Sequence, residues 1–234
     1  MKGKHWYQED LIATQYDAKR FSKGGSLINS HEKQIVTNFL DSIDGKTILD
    51  LACGTARFSL MLADFGADVV ALDISKSMIN IGKNKADPSP HSGDLTFFHA
   101  DAGNLPFDDS SFDIVLAMRF FHLTPIPMYF FLEMHRVARE KIIFDTFNKY
   151  SARSFYNWLL PMGSTLHSRS YISQLLSSID ATIENSHHDF IFPYGVYRNL
   201  PTFLAKPIRS IDSSVVSTSL GQRISTVSYW SISL

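Results

Sequence analysis

Two aspartates carry the first chemical signal in this chain. Asp50 closes an apolar run that begins at Thr47, Asp73 closes another that begins at Ala67, and the two acids lie 23 positions apart. Behind Asp50 come Ala52, Cys53, Gly54, Thr55 and Ala56, and then a helix-periodic segment with Phe58, Leu60, Met61 and Leu62. Small residues in a strand–turn–helix unit let the backbone approach a ligand closely, and the helix that follows aims its free N–H groups at that ligand. An acid at about this distance, ending the next strand, sits beside the first turn and can accept hydrogen bonds from both hydroxyls of a ribose. The implied chemistry is nucleoside binding. The dinucleotide fingerprint G-x-G-x-x-G is not met, because Gly54 has no glycine two or five positions later.

The run from Asp50 to Arg57 instead resembles the first motif of class I S-adenosylmethionine-dependent methyltransferases, an acid and a spacer followed by three alternating glycines. Ala52 and Ala56 replace two of those glycines, which requires φ < 0 at both positions unless strain is tolerated. Residues 72–79 resemble the second motif, 101–107 the third and 111–116 the fourth, so the resemblance covers about residues 47–123. It implies S-adenosylmethionine as cofactor. Asp73 would then take the ribose hydroxyls, Asp101 the adenine amino group and Ala102 the ring through its backbone N–H. The turn through Asp50, Ala52, Cys53, Gly54 and Thr55 would hold the methionine part, with Ile74 and Met78 packing on adenine. Ile74 and Met78 are equally readable as core. Residues 16–21 resemble the N-terminal element that closes over cofactor and substrate in small-molecule members, which makes Tyr16 and Arg20 candidate contacts.

A sulfonium methyl is already electrophilic, so such an enzyme mainly aligns a nucleophile and excludes water. Few dedicated residues are needed. His122 follows the fourth expected strand, where it would serve either as a base toward a substrate hydroxyl or as a group that positions backbone or ligand, the latter being our expectation. Arg119 and Arg198 are each able to pair with a carboxylate, of the cofactor or of an acidic substrate, although Arg198 also reads as a solvated surface residue. His187 and His188 lack a third ligand at metal spacing, and no metal is expected. Met118-Arg119-Phe120-Phe121 differs from the Asn/Asp-Pro-Pro-aromatic tetrapeptide of methyltransferases acting on base or glutamine nitrogens. The local layout is more similar to the branch that methylates small metabolites, quinone rings among them.

The elements that must position these residues follow from periodicity. Apolar runs near 47–52, 68–73, 94–99, 112–118 and 139–146 alternate with helical patterns near 57–65, 76–86 and 127–137, the signature of a doubly wound parallel sheet. Ligands bind at the carboxyl ends of such strands, so Asp50, Asp73, Asp101 and residues from Met118 to His122 should face one crevice. Residues 1–45 read as helix, loop and helix forming a lid, 149–180 as helical, and 183–192 and 224–234 as strands six and seven, the last antiparallel. A long irregular insertion begins at Phe192. The expectation is therefore an α/β, Rossmann-like, seven-stranded, mostly parallel sheet with helices on both faces and a helical lid. It forms one domain over residues 1–234, with 47–146 as the cofactor-binding core and 147–234 as the substrate side.

Composition agrees with an enzyme of small molecules. The chain has 234 residues, 44% of them hydrophobic, and a net charge of −1, which supplies one core and no basic excess for a phosphate backbone. Nucleic acid is thus not an expected partner. One cysteine and no apolar stretch of spanning length point to a cytoplasmic protein without membrane span, a monomer or homodimer. Two other classes stay open: an NAD(P)-dependent oxidoreductase, disfavoured by the missing glycines, and a non-catalytic binding protein on the same fold.

Overall fold

Strands buried on both faces need apolar side chains at nearly every position, and the runs found in sequence are of that kind. The computed structural model describes residues 10–87, 90–159 and 163–234, the first three by backbone alone. Its strands are β1 (Thr47–Leu51), β2 (Asp68–Asp73), β3 (Leu95–His99), β4 (Phe112–Ala117), β5 (Ala138–Phe147), β6 (Thr182–Asp189) and β7 (Val227–Ser233). They form one sheet in the order β3-β2-β1-β4-β5-β7-β6. The first five are parallel, and β7 runs antiparallel to both β5 and β6.

Alternation along the central strands feeds two cores. Ile48, Ile114, Leu116 and Ile143 face one layer, while Leu49, Leu51, Val115, Ile142 and Phe144 face the other. The first layer is completed by α2 (Gly25–Phe39), α3 (Arg57–Asp64), α8 (Tyr194–Asn199) and α9 (Thr202–Val216). The second is completed by α5 (Pro127–Val137) and α7 (Arg169–Ser177). The remaining helices are α1 (Asp10–Phe21), α4 (Lys76–Ala86), α6 (Ala152–Leu159) and α10 (Ser219–Ile224). The expected helix–loop–helix start is present as α1 and α2; residues 1–9 lie outside the described residues.

The C-terminal third differs from its sequence reading. The sixth strand was expected to run to residue 192 but ends at Asp189. There Phe190 turns into the left-handed region at φ +60°, and the N–H of Ile191 donates to the Asp212 carboxylate at 2.7 Å instead of to a strand. The expected irregular insertion is helical, formed by α8, α9 and α10, because Tyr194, Tyr197 and Ala205 pack into the first core layer. The seventh strand starts at Val227 rather than 224, since residues 219–224 form α10, capped by Thr218 Oγ1 accepting from the Gly221 N–H at 3.0 Å.

Candidate active site

The turn after β1 is wound more tightly than alanine normally allows. Ala52 has φ +57° and Ala56 +63°, with Gly54 at +56° between them, so the expectation of negative φ at both alanines is overturned. The left-handed conformation costs an L-residue roughly 1–2 kcal/mol. It is held here by hydrogen bonds, the Cys53 N–H donating to Leu72 O and the Ala56 N–H to Cys53 O, each at 3.0 Å. The Asp73 carboxylate reaches across from β2 and accepts from the Gly54 N–H at 2.8 Å and the Ser75 N–H at 2.8 Å. A methyl group built on Gly54 meets nothing within 4 Å. The backbone therefore leaves a space above the turn that a ligand can occupy.

That space opens into a cavity of about 670 Å³, lined on one side by Asp50, Ala52, Cys53, Gly54, Thr55, Asp73, Ile74, Met78, Asp101 and Ala102. The other side is lined by Tyr16, Met118, Arg119, Phe120, His122, Tyr129 and Phe130, with Gly163 and Thr165 at one edge. Of the residues singled out in sequence, Arg20, Arg198, His187 and His188 are not on this wall; the Arg20 guanidinium instead lies 4.8 Å over the Tyr16 ring. Burial pushes the Asp50 carboxyl up to about 7, against the stabilising hydrogen bond from Ser59 Oγ at 2.5 Å. Burial raises Asp73 as well, opposed by its backbone donors. His122 is driven well below the usual imidazole range by burial and by Arg20, Arg119, Arg153 and Arg198 around it, so its ring is neutral at physiological pH.

Three acids that fix residues of this wall, Glu32, Asp145 and Asp17, escaped the sequence reading. Glu32, 2% exposed, stands on the buried face of α2 and accepts from Arg57 at 2.6 Å, from Arg119, and from the Tyr194 hydroxyl at 3.2 Å. An acid on the apolar stripe of an amphipathic helix, between Ile28 and Ile35, was its only signal. Arg119 leaves β4 at φ +63° and is fixed by Asp145, which accepts from its backbone N–H and from its guanidinium at 3.0 Å. Thr55 is tied to α1 through Asp17 at 2.7 Å. Arg198 is not the solvated residue expected. It is half-buried, and its guanidinium lies 5.4 Å from the Tyr194 ring because α8 folds back over the sheet. His187 does acquire metal-type neighbours: His31 and Asp189 bring ligand atoms within 4.8 Å of one another. Arg209, however, already pairs with that carboxylate at 2.5 Å.

A five-stranded parallel core, an antiparallel β7 between β5 and β6, and a small-residue turn facing an acid on β2 define the Rossmann-like fold of class I methyltransferases. Residues 49–144 match the family described as a methyltransferase domain. Among curated proteins the chain is 46% identical over 112 residues to a demethylmenaquinone methyltransferase of Clavibacter sepedonicus, covering 45% of this chain and 42% of the relative. It is 29% identical over 141 residues to the Lysinibacillus sphaericus protein of the same description, covering 54% and 58%. The chain thus spans about half the length of these relatives. Among solved structures, magnesium protoporphyrin IX methyltransferase from Synechocystis PCC 6803 with bound SAH is similar at a TM-score of 0.68 and 14% identity, covering 98% of this chain and 96% of that one. The [4+2]-cyclase SpnF is similar at 0.73 and 15%, covering 98% and 94%. At these identities the likeness is one of fold. No helix among the described residues is long and apolar enough to cross a membrane.

Proposed function

We propose that this protein transfers the methyl group of S-adenosylmethionine to a small, ring-bearing acceptor. The observation that carries the reading is the convergence on one cavity of the turn at 50–55, Asp73, Asp101–Ala102 and Met118, which lie at the carboxyl ends of four strands. The residues present fit the cofactor. Each Asp73 oxygen has spare acceptor capacity beyond its backbone donor, the space above Gly54 admits a chain, and Ile74 and Met78 offer an apolar wall. Ligand cavities run from roughly 300 to 1,000 Å³, so 670 Å³ leaves room for an acceptor beside the cofactor.

The cofactor supplies an electrophilic methyl; the chain supplies alignment and dryness. Asp73 and Asp101 fix the nucleoside, while Tyr16 on α1 lines the cavity opposite them. Phe120, Tyr129 and Phe130 form the acceptor wall, suited to an aromatic ring of the kind that the demethylmenaquinone relatives are named for. His122, neutral and lining the cavity, positions the acceptor. Production of labelled product from S-adenosylmethionine labelled in its methyl group, with a metabolite extract as acceptor, tests the reading. Loss of cofactor binding in Gly54→Val would tie it to the turn.

A second reading is favoured by one observation. The fold is shared with a chain described as a cyclase, so the same cavity is compatible with binding without methyl transfer. Cofactor binding with no labelled product from any extract would favour it.

A further inference from the structure

The outward face of α6 is apolar. Helical spacing puts Arg153 and Asn157 on one side of this helix and Phe155, Trp158 and Leu159 on the other. The polar pair is used inward: the Arg153 guanidinium lies 3.7 Å over the Phe147 ring and donates to Ser164 Oγ at 3.0 Å, while Asn157 Nδ2 donates to Ser164 O at 2.6 Å. The apolar set meets solvent. Phe155 is 60%, Trp158 80% and Leu159 57% exposed, and Tyr150, just ahead of the helix, 67%. The Phe155 and Trp158 rings lie 6.0 Å apart and form one patch. Single exposed apolar residues are ordinary, but a cluster of large ones on one helix marks a surface that a partner or a membrane covers.

Charge selects between the two. No Asp or Glu occurs in residues 146–179 or in residues 213–234, and the fold joins these segments. Asn148 Nδ2 donates to Arg223 O and to Ser225 O, each at 2.9 Å, and Arg169 donates to Ser225 Oγ at 2.9 Å. The cations here are Lys149, Arg153, Arg169 and Arg223, with Lys149 and Arg223 exposed. In a chain whose net charge is −1, this end is therefore positive. Trp, Phe and Leu side chains fringed by Lys and Arg are the composition that settles into the headgroup region of an anionic bilayer. Self-association fits less well, because it would lay one acid-free, positive end on another. Position adds to the argument: Ser164, held by both Arg153 and Asn157, lies between Gly163 and Thr165 at the edge of the cavity.

We propose that the outward face of α6, with Tyr150, Lys149 and Arg223, docks on the surface of an anionic lipid bilayer without crossing it. Docking there sets the Gly163–Thr165 edge of the cavity next to the layer into which an apolar ring compound partitions. That consequence for the acceptor rests on the methyltransferase reading; the docking itself does not.

Flotation of the whole protein with lipid vesicles is the test, and it uses no cofactor, so its outcome is separate from that of the methyl-transfer assay. Phosphatidylcholine vesicles containing about 30% phosphatidylglycerol are expected to carry the protein at least about fivefold better than phosphatidylcholine alone. The double variant Phe155→Ser, Trp158→Ser should lower binding to the anionic vesicles by about tenfold or more. Its urea midpoint should stay at the wild-type value, because both side chains are exposed. Lys149→Gln with Arg223→Gln should remove most of the preference for phosphatidylglycerol. The control is Phe203→Ser with Ile211→Ser, at exposed positions of α9, which should float like the wild type. Failure of the wild type to float with phosphatidylglycerol overturns the proposal, as does an equal loss in the α9 control, which would mean unspecific adhesion. A dimer in sedimentation velocity that the Phe155→Ser, Trp158→Ser variant dissociates, without flotation, also overturns it and assigns the face to a second copy of the chain.

Discussion

Ala52 and Ala56 hold a backbone that glycine would adopt without strain, and the consequence is measurable. Ala52→Gly removes a left-handed alanine at a half-exposed position, so the variant is expected to be more stable by about 0.5–1 kcal/mol after the extra freedom of glycine in the unfolded chain is subtracted. Urea denaturation reads this, and a destabilised variant would show that the alanine methyl packs usefully. Asp50 gives a pH signature. Burial holds its carboxyl at about 7 in the folded protein against an ordinary value of 3.8, so between those limits the folded state keeps a proton that the unfolded chain has released. Stability therefore falls as pH rises through that window and levels off above it, by on the order of 3–4 kcal/mol for this group. Asp73 contributes in the same direction, so the difference between wild type and Asp50→Asn isolates Asp50. A profile unchanged by Asp50→Asn would mean that water reaches the carboxyl.

Two contacts decide how the helices sit on the cavity. Asp17 of α1 accepts from Thr55 on the turn and pairs with Lys85 of α4, so α1 is latched to the elements that the cofactor would touch. Asp17→Ala should weaken S-adenosylhomocysteine binding by up to about tenfold, in line with the loss of one hydrogen bond and one half-exposed ion pair. Hydrogen exchange should show faster opening of α1 with the sheet amides unaffected; equal affinity would free α1 from any role in closure. The other contact joins the N-terminal helices to α8. A methyl group on Gly24 would lie 2.3 Å from Tyr197 O, and the Gly24 N–H donates to Leu200 O at 3.0 Å. Gly24→Val should cost about 1–3 kcal/mol through overpacking, read as a lower midpoint in urea denaturation.

For the molecule as a whole, a ligand that binds only the folded state raises the melting temperature. S-adenosylhomocysteine at a hundredfold excess over its Kd should stabilise the protein by about 2.7 kcal/mol, a rise of roughly 5–10 °C for a chain of this length. NAD should leave the melting point unchanged. A response to NAD instead would revive the oxidoreductase alternative.

Local sequence was enough to determine the sheet from β1 to β5 and one wall of the cavity. Each of those strands is a short apolar run ending near a polar group, all but β3 are followed by helix, and a parallel sheet sends the ends of all of them to one edge. Asp50, Gly54, Asp73, Asp101 and Met118 were legible for that reason: their positions follow from order along the chain. Tertiary structure decided what comes from far away in sequence. Glu32 and Arg198 lie on helices whose periodicity shows an inward face but not what that face meets. Only the packing of α2 and α8 over the sheet sets one buried acid, Glu32, against Arg57, Arg119 and the Tyr194 hydroxyl. The left-handed alanines belong to the same class, because hydrogen bonds and packing from residues across the turn, and not alanine's own preference, hold their backbone.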